Sequence, residues 1–153
     1  SVIHEAEVAV VMGRAARHVS VENALEYVLG YTCANDISAR DMTVSDIGRG
    51  GTMRWKHFDT FCPLGPVIAT GLDGDNLRIQ CRVNGRTDLD GNSSGMIFGV
   101  AELISWVSEV MVLYPGDIIS TGCPSTGEIK VGDTVEVEIE GIGVLRNPVV
   151  ADR

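Results

Sequence analysis

Residues Glu5-Ala6-Glu7-Val8-Ala9-Val10-Val11-Met12 set two acidic side chains at the head of a Val-rich apolar run that stops at Gly13. A short run rich in β-branched residues and bounded by glycine reads as a buried strand. On a strand, residues two apart share a face, with backbones roughly 6.5–7 Å apart. Glu5 and Glu7 are then neighbours, with the small apolar Ala9 and Val11 continuing their face. Two carboxylates so placed repel each other unless water screens them or a cation lies between them. The functional reading is a divalent cation site with hard oxygen donors suited to Mg²⁺, Mn²⁺ or Ca²⁺. The plain alternative is two exposed glutamates at a frayed strand start. A zinc-protease helix is excluded, because His4-Glu5 would need a second histidine where Val8 stands.

Working outward, Ser20 to Gly30 reads as a short helix with Ser20 as N-cap, Gly30 as stop and Val21, Ala24, Leu25 and Val28 on one face. Leu77 to Val83 alternates apolar and polar residues and runs into Asn84-Gly85, a hairpin signal. Thr134 to Glu140 alternates in the same way, and Gly116 to Ser120 reads as a further strand. Val100 to Leu113 carries Val100, Leu103, Ile104, Val107 and Met111 at helical spacing. Residues 41–54, polar and holding Gly48, Gly50 and Gly51, read as a long loop of the kind that carries function. Few strand–helix–strand units can be drawn, so the class is α+β and mostly β rather than doubly wound.

The chain has 153 residues, without an internal repeat or a linker-like stretch, so one domain spanning 1–153 is the expectation. Twenty-one acidic against 12 basic residues give a net charge of −9, which disfavours nucleic acid as a partner. No apolar run approaches the roughly 20 residues that span a bilayer. Cys33, Cys62, Cys81 and Cys123 include no CxxC pair, which removes zinc ribbons and thioredoxin-like motifs. They read as reduced, buried thiols of a cytoplasmic protein.

Three more clusters carry chemistry. Asn35-Asp36-Ile37-Ser38-Ala39-Arg40-Asp41 follows a strand end; Asp36 offers a third carboxylate and Arg40 a bidentate fork for a substrate carboxylate. Lys56 sits between the glycine loop and the aromatic run Trp55 to Phe61, where a lysine near a metal stabilises an enolate or oxyanion. His57 beside it reads as structural. Pro115 to Pro124 places Thr121 and Gly122 where a hydroxyl and a backbone N–H can meet a bound carboxylate. Each cluster also has a bland reading as a turn, a surface arginine or a snorkelling lysine.

Taken in order, E-A-E, G-Y-T-C-A-N-D-I-S-A-R-D, K-H-F-D-T-F-C-P-L-G-P, M-I-F and P-G-D-I-I-S-T-G-C-P resemble the fumarylacetoacetate hydrolase family, over Glu5 to about Val149. The resemblance implies a mixed, barrel-like β-roll with short helices, the family's C-terminal catalytic domain, commonly paired as a homodimer. It implies Mg²⁺ or Mn²⁺, with Ca²⁺ in some members, on Glu5, Glu7 and Asp36. Lys56 takes the catalytic role, Arg40, Thr121 and Gly122 bind substrate, and Thr60 lies toward a second cation.

The implied chemistry is cleavage or rearrangement of 2,4-dioxo acids and their enols through an enolate that cation and Lys56 stabilise. C–C hydrolysis of an acylpyruvate or fumarylacetoacetate-like substrate leads. A 2-hydroxyhepta-2,4-diene-1,7-dioate isomerase or an oxaloacetate decarboxylase follows, and a non-catalytic metal-binding partner subunit is the reading from another class. Cys123 and Thr43 depart from the family pattern, at the threonine of T-G-T-P and at a substrate-binding glutamine. A His–Glu lid upstream of the first ligands is the segment this stretch is expected to lack.

Overall fold

The computed structural model describes residues 1–47 and 53–151. Eleven strands and two α-helices run, among the described residues, in the order β1 (Val2–His4), β2 (Ala6–Met12), a 3-10 helix (Val21–Tyr27), β3 (Val28–Asn35), β4 (Ser38–Ala39) and α1 (Arg40–Ile47). A second 3-10 helix (Arg54–Lys56), β5 (Leu64–Ala69), β6 (Arg78–Val83), β7 (Arg86–Asn92) and a third 3-10 helix (Ser93–Gly95) follow. The chain closes with α2 (Val100–Val110), β8 (Ile118–Ser120), β9 (Gly127–Ile129), β10 (Thr134–Ile139) and β11 (Gly143–Pro148). The class is α+β and mostly β, and every described strand pairing is antiparallel.

Three sheets divide the strands, in the orders β4-β1-β9, β11-β10-β6-β7 and β5-β3-β2-β8. All of β2 is buried: it lies between β3 and β8, and its Val8, Val10 and Met12 face packs on the sheet of β6 and β10. Val8, Val10 and Met12 join Cys33, Ile79, Cys81, Val137 and Ile139 in one aliphatic core. The period-two readings of β6 and β10 hold, with Ile79, Cys81, Val83, Val135, Val137 and Ile139 turned inward.

Several local readings are corrected. The helix expected over Ser20 to Gly30 is a 3-10 helix that ends at Tyr27. Val21 and Leu25 are exposed and only Ala24 is buried, so no apolar face holds a longer helix. The chain is taken instead by β3, whose Val28 and Gly30 pair with Met12 and Val11. Gly30 is not a helix stop: a Cβ there would lie 2.4 Å from the Ala69 carbonyl oxygen, so it is the close approach of β5 that demands glycine. The loop expected over 41–54 opens with α1, whose sequence shows no apolar stripe to reveal it; residues 48–52 lie outside the described residues. The second predicted helix ends at Val110, leaving Met111 exposed.

The two glutamates do not share one strand. Glu5 falls between β1 and β2, where the chain passes from one sheet to another. Of the four cysteines, all free thiols, only Cys33 and Cys81 are buried; Cys62 is exposed and Cys123 intermediate. No helix among the described residues is long and apolar enough to cross a membrane.

Candidate metal centre

Antiparallel pairing brings the site together. Ala6 and Glu7 face Asn35 and Ala34, so the start of β2 and the end of β3 lie at the same edge. The end of β8 arrives there too, with Ser120 opposite Ala9 and the Thr121 N–H donating to the Val8 carbonyl at 3.2 Å. Glu5, Glu7 and Asp36 converge at this edge, each offering an oxygen within 4.8 Å of the others.

Glu5 is fixed on all sides. Its N–H donates to Asn35 Oδ1 at 3.0 Å, and its carbonyl accepts from the Asp36 N–H at 2.9 Å. Its carboxylate accepts from Ser38 Oγ at 2.8 Å and from Lys56 Nζ at 3.0 Å. Lys56 also bonds Asp36 Oδ2. Glu7 is only 2% exposed, which removes the frayed-strand alternative. Its Oε2 accepts both from Ser120 Oγ and from the Gly122 N–H, the latter at 2.9 Å.

Burial pushes the Glu7 carboxyl above its ordinary value, and the charges of Asp36 and Glu5 add to that. The bonds from Ser120 and Gly122 pull the other way without reversing it. For Lys56, burial favours the neutral amine, but the bonds and charges of Asp36 and Glu5 outweigh it and leave the ammonium favoured. Among the described residues the cluster is three carboxylates facing one ammonium.

Two such carboxylate charges at the 4.8 Å limit repel by about 3.5 kcal/mol at an effective dielectric near 20. A divalent cation removes that strain. The donors are carboxylate oxygens only, with no imidazole or thiolate among them, which matches Mg²⁺, Mn²⁺ and Ca²⁺ rather than softer ions. Two anchored backbones and two serine hydroxyls hold these carboxylates in place, as outer partners would in a metal site.

The remaining expected residues fall out differently. The Thr121 hydroxyl donates to the Val8 carbonyl at 2.9 Å and the Gly122 N–H to Glu7, so both serve the protein's own groups here. Arg40 opens α1 and lines an exposed groove with Ser1, Asp41, Thr43 and Glu128; no described contact joins it to the carboxylates. Thr60 is exposed in a left-handed conformation at φ 69°, again without a described contact to them. His57 is structural, its Nδ1 bonded to the Met53 carbonyl at 2.7 Å. The Cys123 thiol donates to the Ser125 carbonyl at 2.6 Å and is pushed up to about 11, chiefly by burial.

Sequence reasoning passed over Ser38, Ser120 and Asn35. Ser38 and Asn35 stand in the quoted N-D-I-S-A-R-D stretch, and Ser120 directly precedes Thr121. Asn35 carries a local signal, a polar residue at the end of an apolar strand beside Asp36, whereas Ser38 and Ser120 have no acidic neighbour in sequence.

Residues 1–150 match the family model described as fumarylacetoacetate (FAA) hydrolase C-terminal. The mitochondrial oxaloacetate tautomerase FAHD2A of Homo sapiens is 43% identical over 157 residues, 95% of this chain and 50% of that protein. A crystal structure of 2-hydroxyhepta-2,4-diene-1,7-dioate isomerase from Mycobacterium marinum superposes with a TM-score of 0.93 at 47% identity, covering 97% of this chain and 58% of that one. The maleylpyruvate hydrolase of Sphingobium sp. SYK-6 gives 0.88 at 33% identity, over 97% and 55%. The chain thus spans between half and three-fifths of the length of these relatives. It belongs to the fumarylacetoacetate hydrolase family.

Proposed function

From that membership we propose that this chain is the catalytic part, residues 1–153, of a divalent-cation-dependent enzyme acting on 2-oxo acids and their enols. We place proton shift, by tautomerisation or isomerisation, ahead of C–C hydrolysis and decarboxylation. The convergence of Glu5, Glu7 and Asp36 on one point, with Lys56 facing it, carries the reading. The order of reactions is supported by the tautomerase and the isomerase being more similar in sequence than the hydrolase.

Glu5, Glu7 and Asp36 would hold Mg²⁺ or Mn²⁺, with Ca²⁺ admissible on the same donors. The bound cation supplies Lewis-acid polarisation of a 2-oxo acid. Lys56 presents a positive charge at the same point and so favours the electron-rich oxygen of an enolate over the neutral ketone, which lowers the barrier to moving the adjacent proton. Its Nζ keeps its own proton through the bonds to Glu5 and Asp36. Gly122 and Ser120 favour the charged form of Glu7 against its burial, and a cation ligand must be charged. Arg40 and Thr60 enter as substrate and second-cation candidates carried by the resemblance alone, as does the cytoplasmic setting, while the homodimer has one further support. The exposed Leu64, Val67 and Ile68 of the edge strand β5 support association of two copies.

The test uses the full-length protein with Mg²⁺, with Mn²⁺ and with EDTA, on enol-oxaloacetate, a 2-hydroxy-2,4-dienedioate and an acylpyruvate. Ultraviolet absorbance follows the enol, and product analysis separates a shifted double bond, released CO₂ and two smaller acids. Cation-dependent loss of the enol without fragmentation supports the proposal. Full activity of Glu7→Ala in EDTA removes the site, and fragmentation as the faster reaction restores hydrolysis to first place.

A further inference from the structure

His4 is wholly buried, yet the proposed chemistry does not use it. It is the last residue of β1 and directly precedes Glu5, the point where the chain leaves one sheet for another. Its ring is held from a third sheet. Nδ1 lies 3.4 Å from Cys81 Sγ on β6, and Nε2 lies 3.4 Å from Asp88 Oδ2 on β7. A carboxylate only accepts, so Nε2 carries the hydrogen toward Asp88. Burial pushes the Cys81 thiol up to about 12, so it stays protonated and faces Nδ1 as a donor.

Two features of the backbone exist to permit this grip. Cys81 pairs with Leu89 and Arg82 with Thr87, so Asp88 is the extra residue of a β-bulge. A bulge re-aims a side chain, and here it turns an acidic residue inward to 13% exposure. Opposite His4 on β9 stands Gly127, where a Cβ would come within 2.5 Å of His4 Nε2 and 2.8 Å of Asp88 Oδ2. Four strands from two sheets therefore meet at this one imidazole.

We infer that His4 is a positioning residue for Glu5: clamped by Cys81 and Asp88 one peptide bond before the carboxylate, it fixes where Glu5 enters the metal centre. Asn35 holds the Glu5 N–H, Asp36 its carbonyl, and Ser38 and Lys56 its carboxylate. His4 adds a restraint on the preceding residue, through contacts with a sheet that contributes no ligand. The inference rests on the cation reading of the site.

The test is Mn²⁺ binding to full-length protein, by titration and by the electron paramagnetic resonance line shape of the bound ion. His4→Phe fills the space without the hydrogen bonds, and we expect Mn²⁺ affinity to fall by about tenfold or more, the usual range for an outer partner of a metal ligand, with a broadened spectrum. His4→Gln, which can still donate to Asp88, recovers most of the affinity and the wild-type line shape; a merely space-filling role predicts the opposite ranking. Asp88→Ala carries the same expectation should the Phe variant not fold, with the exposed Asp90→Ala as a control for charge on the same strand. Wild-type affinity and line shape in folded His4→Phe or Asp88→Ala overturn the inference while leaving the site intact. A wild-type protein that binds no Mn²⁺ overturns the cation reading itself.

Discussion

Replacing a metal ligand usually weakens a protein, but Glu7→Gln should strengthen this one whenever the metal is withheld. Glu7 is buried beside two other carboxylates, each with an oxygen inside 4.8 Å. At an effective dielectric near 20, each neighbour costs about 3.5 kcal/mol of repulsion. Glu5 and Asp36 are about a fifth exposed and paired with Lys56, so solvent and the ammonium cancel much of this. Both donors to Glu7, Ser120 Oγ and the Gly122 N–H, reach the same oxygen, Oε2. A glutamine with its carbonyl oxygen there keeps both bonds and turns its NH₂ toward the remaining carboxylates. Weakening two charge-assisted bonds to neutral ones costs on the order of 1 kcal/mol. The net expectation is a gain of about 2 kcal/mol, or about 4–8 °C in Tm for a domain of this size.

The sign is fixed by linkage. The folded-state pKa of Glu7 lies above its ordinary 4.5, so the native state holds the proton more tightly. Wild-type stability therefore falls as pH rises from about 4.5 through the raised value, and the variant lacks that fall. Urea unfolding in EDTA between pH 4 and 8 should show the gap opening above pH 4.5 and closing below it. Adding Mn²⁺ should stabilise wild type, by about 2.7 kcal/mol at a hundred times the Kd, and leave Glu7→Gln unmoved. A variant less stable than wild type in EDTA at pH 7.5 would refute the repulsion argument. A variant that Mn²⁺ stabilises as much as wild type would refute the ligand assignment.

Other perturbations read the same structure. Lys56→Met removes the ammonium that bonds Glu5 and Asp36, and should cost about 1–2 kcal/mol in EDTA, discounted for partial exposure; because the ammonium no longer occupies their oxygens, Mn²⁺ measured by calorimetry should bind more tightly. Gly30→Ala drives a methyl to 2.4 Å from the Ala69 carbonyl oxygen, a rigid backbone neighbour, and should lower stability by about 2 kcal/mol or more in denaturant titration. The buried thiols of Cys33 and Cys81 are pushed up to about 11 and about 12 by burial, against 9 in the unfolded chain. Stability is therefore intact below pH 9 and lost as pH rises through those values, by about 1.4 kcal/mol per thiol at pH 10. Cys33→Ala should flatten that alkaline slope, and an unchanged slope counts against the burial argument.

Which parts of this could be read from the chain alone follows from where each signal is stored. Strands β6 and β10 were legible because alternation is a local pattern that water on one side and core on the other impose directly. β2 was legible from its Val-rich, uncharged second half. The 3-10 helix before β3 was not, because Val28 and Gly30 pair with Met12 and Val11 of β2 and Gly30 lies against Ala69 of β5, neighbours that no window of local sequence contains. Helix α1 escaped for the opposite reason: its residues Arg40–Ile47 show no apolar stripe, and it lies in a stretch whose glycines read as loop.

The candidate metal centre divides along the same line. Its carboxylates were readable because chemistry demands acidic residues and the E-x-E spacing is local. Their supports were not, since the hydroxyl that steadies Glu7 comes from 113 residues downstream and the lysine that neutralises Glu5 from 51. This asymmetry has a physical origin. A ligand must be one of a few residue types, whereas a neighbour that donates one hydrogen bond need only be polar and in the right place, so the fold and not the residue identity carries its information. His4 is the extreme case. Beside Glu5 it resembles half of a failed zinc motif, and its role appears only when a bulge on β7 and a glycine on β9 are seen to make room for it.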